Sequence, residues 1–586
     1  MYRPVLDAVS GSLALTAVVA MLPLLTLFIL LGVLRMTAWK AALVSLVVSL
    51  AVAIFGYRMP AGQALMASTE GAAFGFFPIL FIVINAIWLY NMTVVTGHFD
   101  VLRRSFAKVS DDQRIQAVII AFCFGALLEA LAGFGTPVAI TSVMLLALGV
   151  KPIKAAVVAL VANTAPVAFG ALAVPITTLA TVSGLPEHTL SQIVGRQTPL
   201  LGLFVPVALV FILDKWRGVR ATLPATLTCG IMFALTQFVT SNFISTQLTD
   251  IVASLVSAVS VVLLLRVWRP ATPFVEAPAV STVASATGMP GRDSATRQGP
   301  ALAAPAGGAP DHLKDGSDYP IGQTIGTAAE VAVRDRNHHD SGREVFKAYA
   351  PYLIIIMVFS LSQIPFIRDA LAAPTVAFKW PGLDLQTASG KPSTLPTFKL
   401  NWLASGGSLL VIAGLITIPF LGISVAKAYG AYLDTYRQLK FAIVTVMAVL
   451  GLAYVMNASG QTATLGFWMA GAGAAFAVFS PILGWIGVAV TGSDTSSNSL
   501  FGALQVSAAG KAGLSPALMA AANSSGGVLG KMVSPQNLAI AAAAVGLSGR
   551  EGDVFRKVIG WSLGFLLVMC AIVYLQSTAV LFWMLP

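Results

Sequence analysis

Apolar runs separated by short basic or polar segments fill most of the chain. Many approach or exceed the roughly 18–20 residues that cross a bilayer core of about 30 Å as a helix. The first, 13–34, is closed by Arg35 and is too long for the apolar core of a signal peptide, so it reads as a retained span. Further spans are expected at about 39–55, 73–95, 155–182, 200–213, 223–239 and 251–265, then at 350–363, 402–421, 441–456, 514–545 and 558–580. Two other runs, at about 115–150 and 474–509, are each interrupted by a polar break. Both read as re-entrant hairpins, although a pair of ordinary spans would obey the same charge rule in the first. The pattern predicts an all-α polytopic membrane protein of about 12 transmembrane helices plus two opposed re-entrant hairpins.

The interruptions repeat. Asn163-Thr164-Ala165-Pro166 is followed by Gly170 and Pro175, and Asn523-Ser524-Ser525-Gly526 by Gly530 and Pro535. One offset, 523 − 163 = 360, superposes every fixed position of N-[TS]-[AS]-x-x-[AV]-[FL]-G-x-x-x-x-P. About thirty residues before each Asn lies the hairpin break, Gly133-Phe134-Gly135-Thr136-Pro137 in one copy and Thr491-Gly492-Ser493-Asp494-Thr495-Ser496-Ser497-Asn498 in the other. Within hydrocarbon, unwound backbone survives only where it faces protein or a wet cavity. The helix that resumes after each Asn is expected to present its positive N-terminal end, which suits a carboxylate. Gly135, Thr136, Asn163, Thr164, Thr495, Ser496, Asn523, Ser524 and Ser525 are therefore candidate substrate-binding residues. Close helix packing is the competing account of Gly133, Gly135, Gly526 and Gly527.

Basic residues set the expected topology. Arg35 with Lys40, the cluster Arg103–Arg114, Lys151 with Lys154, Lys215–Arg220, Lys427–Lys440 and Arg550–Lys557 all fall between runs, as cytoplasmic loops do. The first hairpin then opens to the cytoplasm and the second to the outside, so the two copies form an inverted repeat. Inverted repeats with broken helices near the midplane mark secondary transporters. Three regions follow: 1–269, a first membrane repeat with two extra spans; 270–346, a cytoplasmic linker; and 347–586, a second membrane repeat. The linker is rich in Ala, Pro, Gly, Ser and Thr and lacks periodicity, so it is expected to be disordered. His338-His339 within it reads as solvated linker, not a metal tract.

Composition agrees with this class. The 586 residues are 57% hydrophobic and only 10% charged, with mean hydropathy +0.84. The net charge of +11 does not point to nucleic acid, because its Lys and Arg sit between apolar runs. Cys123, Cys229 and Cys570 lie singly in apolar helices and read as small core residues, so neither a metal nor a cofactor is expected.

Ionisable residues at membrane depth are costly and usually line a pathway. Glu129 lies within an apolar helix with no basic residue within four positions, and an unpaired carboxyl there is expected to carry a proton. Asp494 at the second tip is the alternative proton-coupling group. Lys531 reads as a substrate counter-charge or as the permanent partner of Asp494, with the ion pair slightly preferred. Glu70, beside Ser68 and Thr69, reads as a solvated end residue.

Gly133 to Ala139, Asn163 to Gly170 and Ala522 to Gln536 together resemble the bacterial lactate permease family, over nearly the whole chain apart from the linker. The resemblance implies import of L-lactate, and in some members D-lactate or glycolate, by proton symport across the inner membrane. It also implies an elevator-type transporter, in which two opposed hairpins slide against a scaffold. In related transporters a Ser-Asn-Thr at each hairpin tip holds the substrate carboxylate; here the Asn-Thr and Asn-Ser pairs fall in the expected broken helices instead. The central linker is longer than the family leads one to expect. Partners are then a small monocarboxylate, protons and the lipid bilayer, with a homodimer as a candidate assembly. Sodium coupling is the nearest alternative, and an anion channel the next; an intramembrane enzyme lacks a catalytic cluster.

Overall fold

The computed structural model describes residues 2–586 apart from 35, 108, 134, 272, 275–339, 363, 387–392, 394 and 549. Nearly all of the expected linker, with His338-His339, and Phe134 of the first break lie outside the described residues. Ten helices among the described residues are long and apolar enough to cross a membrane, and four shorter apolar helices accompany them. The chain is an all-α polytopic membrane protein with one small sheet. Val376–Lys379 pairs antiparallel with Thr397–Leu400, between the expected spans 350–363 and 402–421.

Helix faces show how such a sequence folds without water to drive it. In Leu13–Leu31 the residues Leu15, Val18, Leu22, Leu25 and Ile29 recur at helical spacing and are exposed, whereas Ala17, Ala20, Leu24 and Leu27 are buried. Lipid is as apolar as leucine, so the buried face is chosen by close packing rather than by hydrophobicity. Gln113–Leu131 is the opposite case, a helix buried on all sides.

Several boundaries differ from expectation. Ala61–Val95 is a single run of 35 residues, where only 73–95 was expected, and Val425–Ser459 is another of the same length packed against it. Glu70 is consequently 1% exposed between these helices and is not a solvated end residue. The expected spans 200–213 and 223–239 belong to one run, Glu187–Ile244, which bends at Asp214 and Lys215. A helix at Gln461–Met469 precedes the second hairpin and had no expected counterpart. Gly342–Ser362 starts eight residues before the expected 350.

Both flanks of the linker region are tied to the segment 104–112. The Phe274 N–H donates to Asp112 at 3.2 Å, and Arg104 pairs with Asp340 at 2.6 Å. Asp112 and Asp214 share the buried guanidinium of Arg114. The three cysteines are buried free thiols, with the sulfurs of Cys123 and Cys229 3.6 Å apart.

Eight helices build the site: α1 (Gln113–Leu131), α2 (Thr136–Ala147), α3 (Pro152–Ala162), α4 (Gly170–Ser183), α5 (Phe476–Thr491), α6 (Asp494–Ala512), α7 (Pro516–Gly530) and α8 (Pro535–Ala544). Packing is exchanged between the two sets of four. Helix α4 lies against α6, and α8 lies against α2, so each set's last helix covers the other's second hairpin arm.

Candidate functional site

The breaks have local causes. Gly135 precedes α2 at φ +86, a left-handed conformation natural to glycine, and Pro137 follows in the first turn of α2. The second tip turns at Gly492, φ +77, and Ser493 caps α6 by accepting from the Ser496 N–H. After Asn163 the backbone leaves the helix, and Ala171, Leu172 and Ala173 are left-handed before α4 continues through Pro175. Each such non-glycine residue costs roughly 1–2 kcal/mol, so surrounding packing must hold the segment.

Asn523 departs from expectation. It lies inside continuous α7, and the break comes later, at Lys531–Ser534, just before Pro535. The two copies break at different points of the motif: the second directly before Pro535, whose missing N–H cannot continue the helix, and the first at Asn163, with Pro175 inside α4. Asn523 instead ties helices together: it donates to Asn498 at 2.9 Å and accepts from Gln505 at 3.1 Å.

One cleft, about 490 Å³ of empty space including the solvent at its open mouth, lies where the two sets meet. Its polar lining is Glu129, Ser493, Asp494, Thr495, Lys531 and Gln536, and Val83, Val167 and Val174 add apolar wall. The N-terminal end of α6, at Asp494 and Thr495, and that of α8, at Gln536, both border it.

Lys531 is the centre of the cleft's electrostatics. Its Nζ lies 2.5 Å from Glu129 Oε1, with both side chains almost fully buried. The partner is therefore Glu129, not Asp494, and Glu129 is not unpaired as its sequence neighbours suggested. Asn163 Nδ2 donates to the other Glu129 oxygen at 3.0 Å. Gly133 and Gly170 flank the carboxylate; a Cβ on Gly170 would lie 2.9 Å from Oε1. Asp494 accepts from Ser524 at 2.5 Å and from Asn498 at 3.2 Å through Oδ2, while Oδ1 has no hydrogen-bond partner among the described residues. Lys531 also acts on Asp494 electrostatically.

The candidate residues thus separate. Glu129, Asp494, Thr495 and Lys531 face the cleft, and Asn163 and Ser524 hold the two carboxylates. Thr164 donates to the Val161 carbonyl at 2.6 Å, and Ser525 is buried without a partner. Gly135 packs on Ile540 and Asn537 of α8, and neither it nor Thr136 borders the cleft. Gly526 is a packing glycine against the Pro481 carbonyl, whereas Gly527 faces Asp494. Ser493, Gln536 and Val83 were missed. Gln536 follows the repeated proline directly, which was the one signal for it. Among the described residues, no three His, Cys, Asp or Glu side chains group as a metal site.

A multi-pass helical bundle with a buried ion pair at the meeting point of two broken-helix sets defines a membrane-transporter type of architecture. The chain belongs to the L-lactate permease family, whose model matches residues 16–298 and 321–580. It is 39% identical to the L-lactate permease of Bacillus subtilis (strain 168), over 99% of this chain and 98% of that protein. It is 41% identical to the glycolate permease GlcA of Escherichia coli (strain K12), over 98% and 97%. The L-lactate permease of the same E. coli strain is 37% identical, over 98% of each chain.

Proposed function

We propose that this protein imports L-lactate, with glycolate and D-lactate as further substrates, by proton symport across the bacterial inner membrane. The observation that carries the reading is the Lys531–Glu129 pair at the cleft. A lactate carboxylate entering the cleft needs the Lys531 ammonium, and that ammonium is occupied by Glu129. A proton on Glu129 neutralises the carboxylate and releases Lys531 to the substrate. When both leave, the ion pair re-forms. The loaded and the empty cleft then carry the same charge, which lowers the barrier to moving either across hydrocarbon. Proton and lactate bind together because each removes the cost of the other.

The substrate's remaining atoms have matching surroundings. Thr495 and Gln536 offer hydrogen bonds to a 2-hydroxyl, and Val83 and Val174 offer an apolar wall to a methyl group. The N-terminal ends of α6 and α8 add partial positive charge near the carboxylate. The exchanged packing of α1–α4 and α5–α8 supports an inverted repeat, and the repeat supports alternation of the cleft between the two sides in the elevator manner.

Purified protein in liposomes with imposed pH or Na⁺ gradients tests the reading. Labelled lactate and glycolate should accumulate on an inward proton gradient with Na⁺ absent. Accumulation that follows only the Na⁺ gradient would sink proton symport, and equilibration without accumulation would point to a channel.

A further inference from the structure

Behind the cleft lies a second buried carboxylate that the pairing of Glu129 and Lys531 does not use. Asp250 stands in the first turn of Thr249–Val267 and is fully buried. Gln237 donates to its Oδ1 at 2.9 Å, and its Oδ2 has no hydrogen-bond partner among the described residues. The same Gln237 amide approaches the Ala165 carbonyl at 3.4 Å, and its oxygen accepts from Thr198 at 3.3 Å. Ala165 belongs to the unwound segment that begins at Asn163, and Asn163 holds Glu129. The non-helical residues 163–169 therefore run between two carboxylates, one tied to each end of a short polar chain.

The elements packed around Asp250 bring no basic side chain to it among the described residues. Helix α1 presents Glu129, which acts on Asp250 electrostatically. The run Glu187–Ile244 presents Gln237; its Glu187 is held by Gln247, and its Arg196 by Asn242 and the Met584 carbonyl. Helix α4 carries no ionisable residue. Gly342–Ser362 carries Arg343, Glu344 and Lys347 in its first turns, on the side where Asp340 meets Arg104, far along the chain from Asp250. No ion pair is recorded for Asp250 among the described residues.

We infer that Asp250 is a second proton-binding side chain of the carrier, coupled to Glu129 across the unwound segment 163–169. Like charges in a poorly solvated interior do not readily coexist, so the charge on one carboxyl bears on the charge of the other. A change in the Glu129–Lys531 bond then alters the proton occupancy of Asp250, and Gln237 transmits any movement of the Ala165 carbonyl. Asp250 is a coupling residue and touches no substrate.

The inference rests on the proton-symport reading, and the experiment separates the two. Wild type, Asp250→Asn and Asp250→Glu are compared in liposomes for lactate–lactate exchange, for proton-driven accumulation and for the pH profile of exchange. Asp250→Asn keeps the bond to Gln237 but cannot titrate. It should exchange lactate within about twofold of wild type, accumulate at least tenfold less, and show a shallower pH profile. Asp250→Glu should recover accumulation. Wild-type accumulation and pH profile in Asp250→Asn would overturn the inference, as would loss of exchange together with accumulation, which marks a structural residue. Failure of wild type itself to accumulate on a proton gradient would instead remove the symport reading.

Discussion

Lys531 and Glu129 stand 402 positions apart in the chain, and the ammonium nitrogen of one lies 2.5 Å from a carboxylate oxygen of the other. One comes from the break after α7 and the other from α1, so the pair joins the two sets of site helices. Removing a single partner from a buried pair leaves the other charge uncompensated, which typically costs about 3–5 kcal/mol. Lys531→Gln should therefore lower thermal stability and abolish saturable lactate binding. Adding Glu129→Gln should restore stability without restoring binding. A double variant as unstable as Lys531→Gln alone would show that the pair contributes little to the fold.

The two repeated asparagines should behave differently. Asn163 donates to Glu129, whereas Asn523 joins Asn498 and Gln505 in helix-to-helix contacts. Losing a buried donor costs about 1–3 kcal/mol, a ten- to hundredfold effect where it bears on one equilibrium. In Asn163→Ala that effect should fall on the proton dependence of uptake, with melting temperature little changed. In Asn523→Ala it should fall on melting temperature. Equal losses of lactate affinity in both, with unchanged stability, would return both residues to the substrate.

These contrasts show what could be read from the chain. The class of protein, three of the four polar interruptions and the three ionisable residues lining the cleft are local properties of the sequence, and these were legible. Partner choice was not. No periodicity connects Glu129 to Lys531, because the contact depends on how distant helices pack. The repeat also misled: it matches Asn163 to Asn523, but Asn523 lies in continuous helix, with its side-chain partners Asn498 and Gln505 in α6. Glu70 looked solvated because its neighbours Ser68 and Thr69 are polar, yet Val425–Ser459 covers it. Gln237 lay in a stretch read only as an ordinary span, and Asp250 in the short connection just before the next one.

Gly526 sits where α5 and α7 pack closely. An added Cβ would collide with the Pro481 carbonyl, a backbone atom that cannot swing aside. Gly526→Ala should destabilise by about 1–3 kcal/mol through overpacking. A control is Gly510→Ala, where the space is open. Scanning calorimetry or fluorescence melts in detergent compare the two; equal melting temperatures would contradict the close packing of α5 on α7.

The central linker offers a further test. Its composition gives little apolar surface to bury, and its flanks are held at Asp112 and Arg104. Deleting residues 279–332 leaves both attachments and should leave lactate uptake within about twofold of wild type at matched membrane expression. Loss of uptake at matched expression would give the linker a part in transport.

Asp494 decides which carboxylate carries the proton. Its Oδ2 is occupied by Ser524 and Asn498, and its bare Oδ1 lies beside Gly527 at the cleft. Glu129 has the ammonium as its partner, so only protonation of Glu129 frees Lys531 for a substrate carboxylate. Glu129→Gln should therefore abolish proton-driven accumulation while retaining lactate binding and lactate–lactate exchange. Asp494→Asn keeps an acceptor for Ser524 and should preserve accumulation, with affinity changed by up to about tenfold through one altered buried hydrogen bond. The liposome assay with an imposed pH gradient reads both variants. Accumulation that survives in Glu129→Gln and vanishes in Asp494→Asn would move the proton to the second hairpin tip and leave the Glu129–Lys531 pair as a structural tie. Survival in both would mean that lactate crosses with its own proton, as lactic acid.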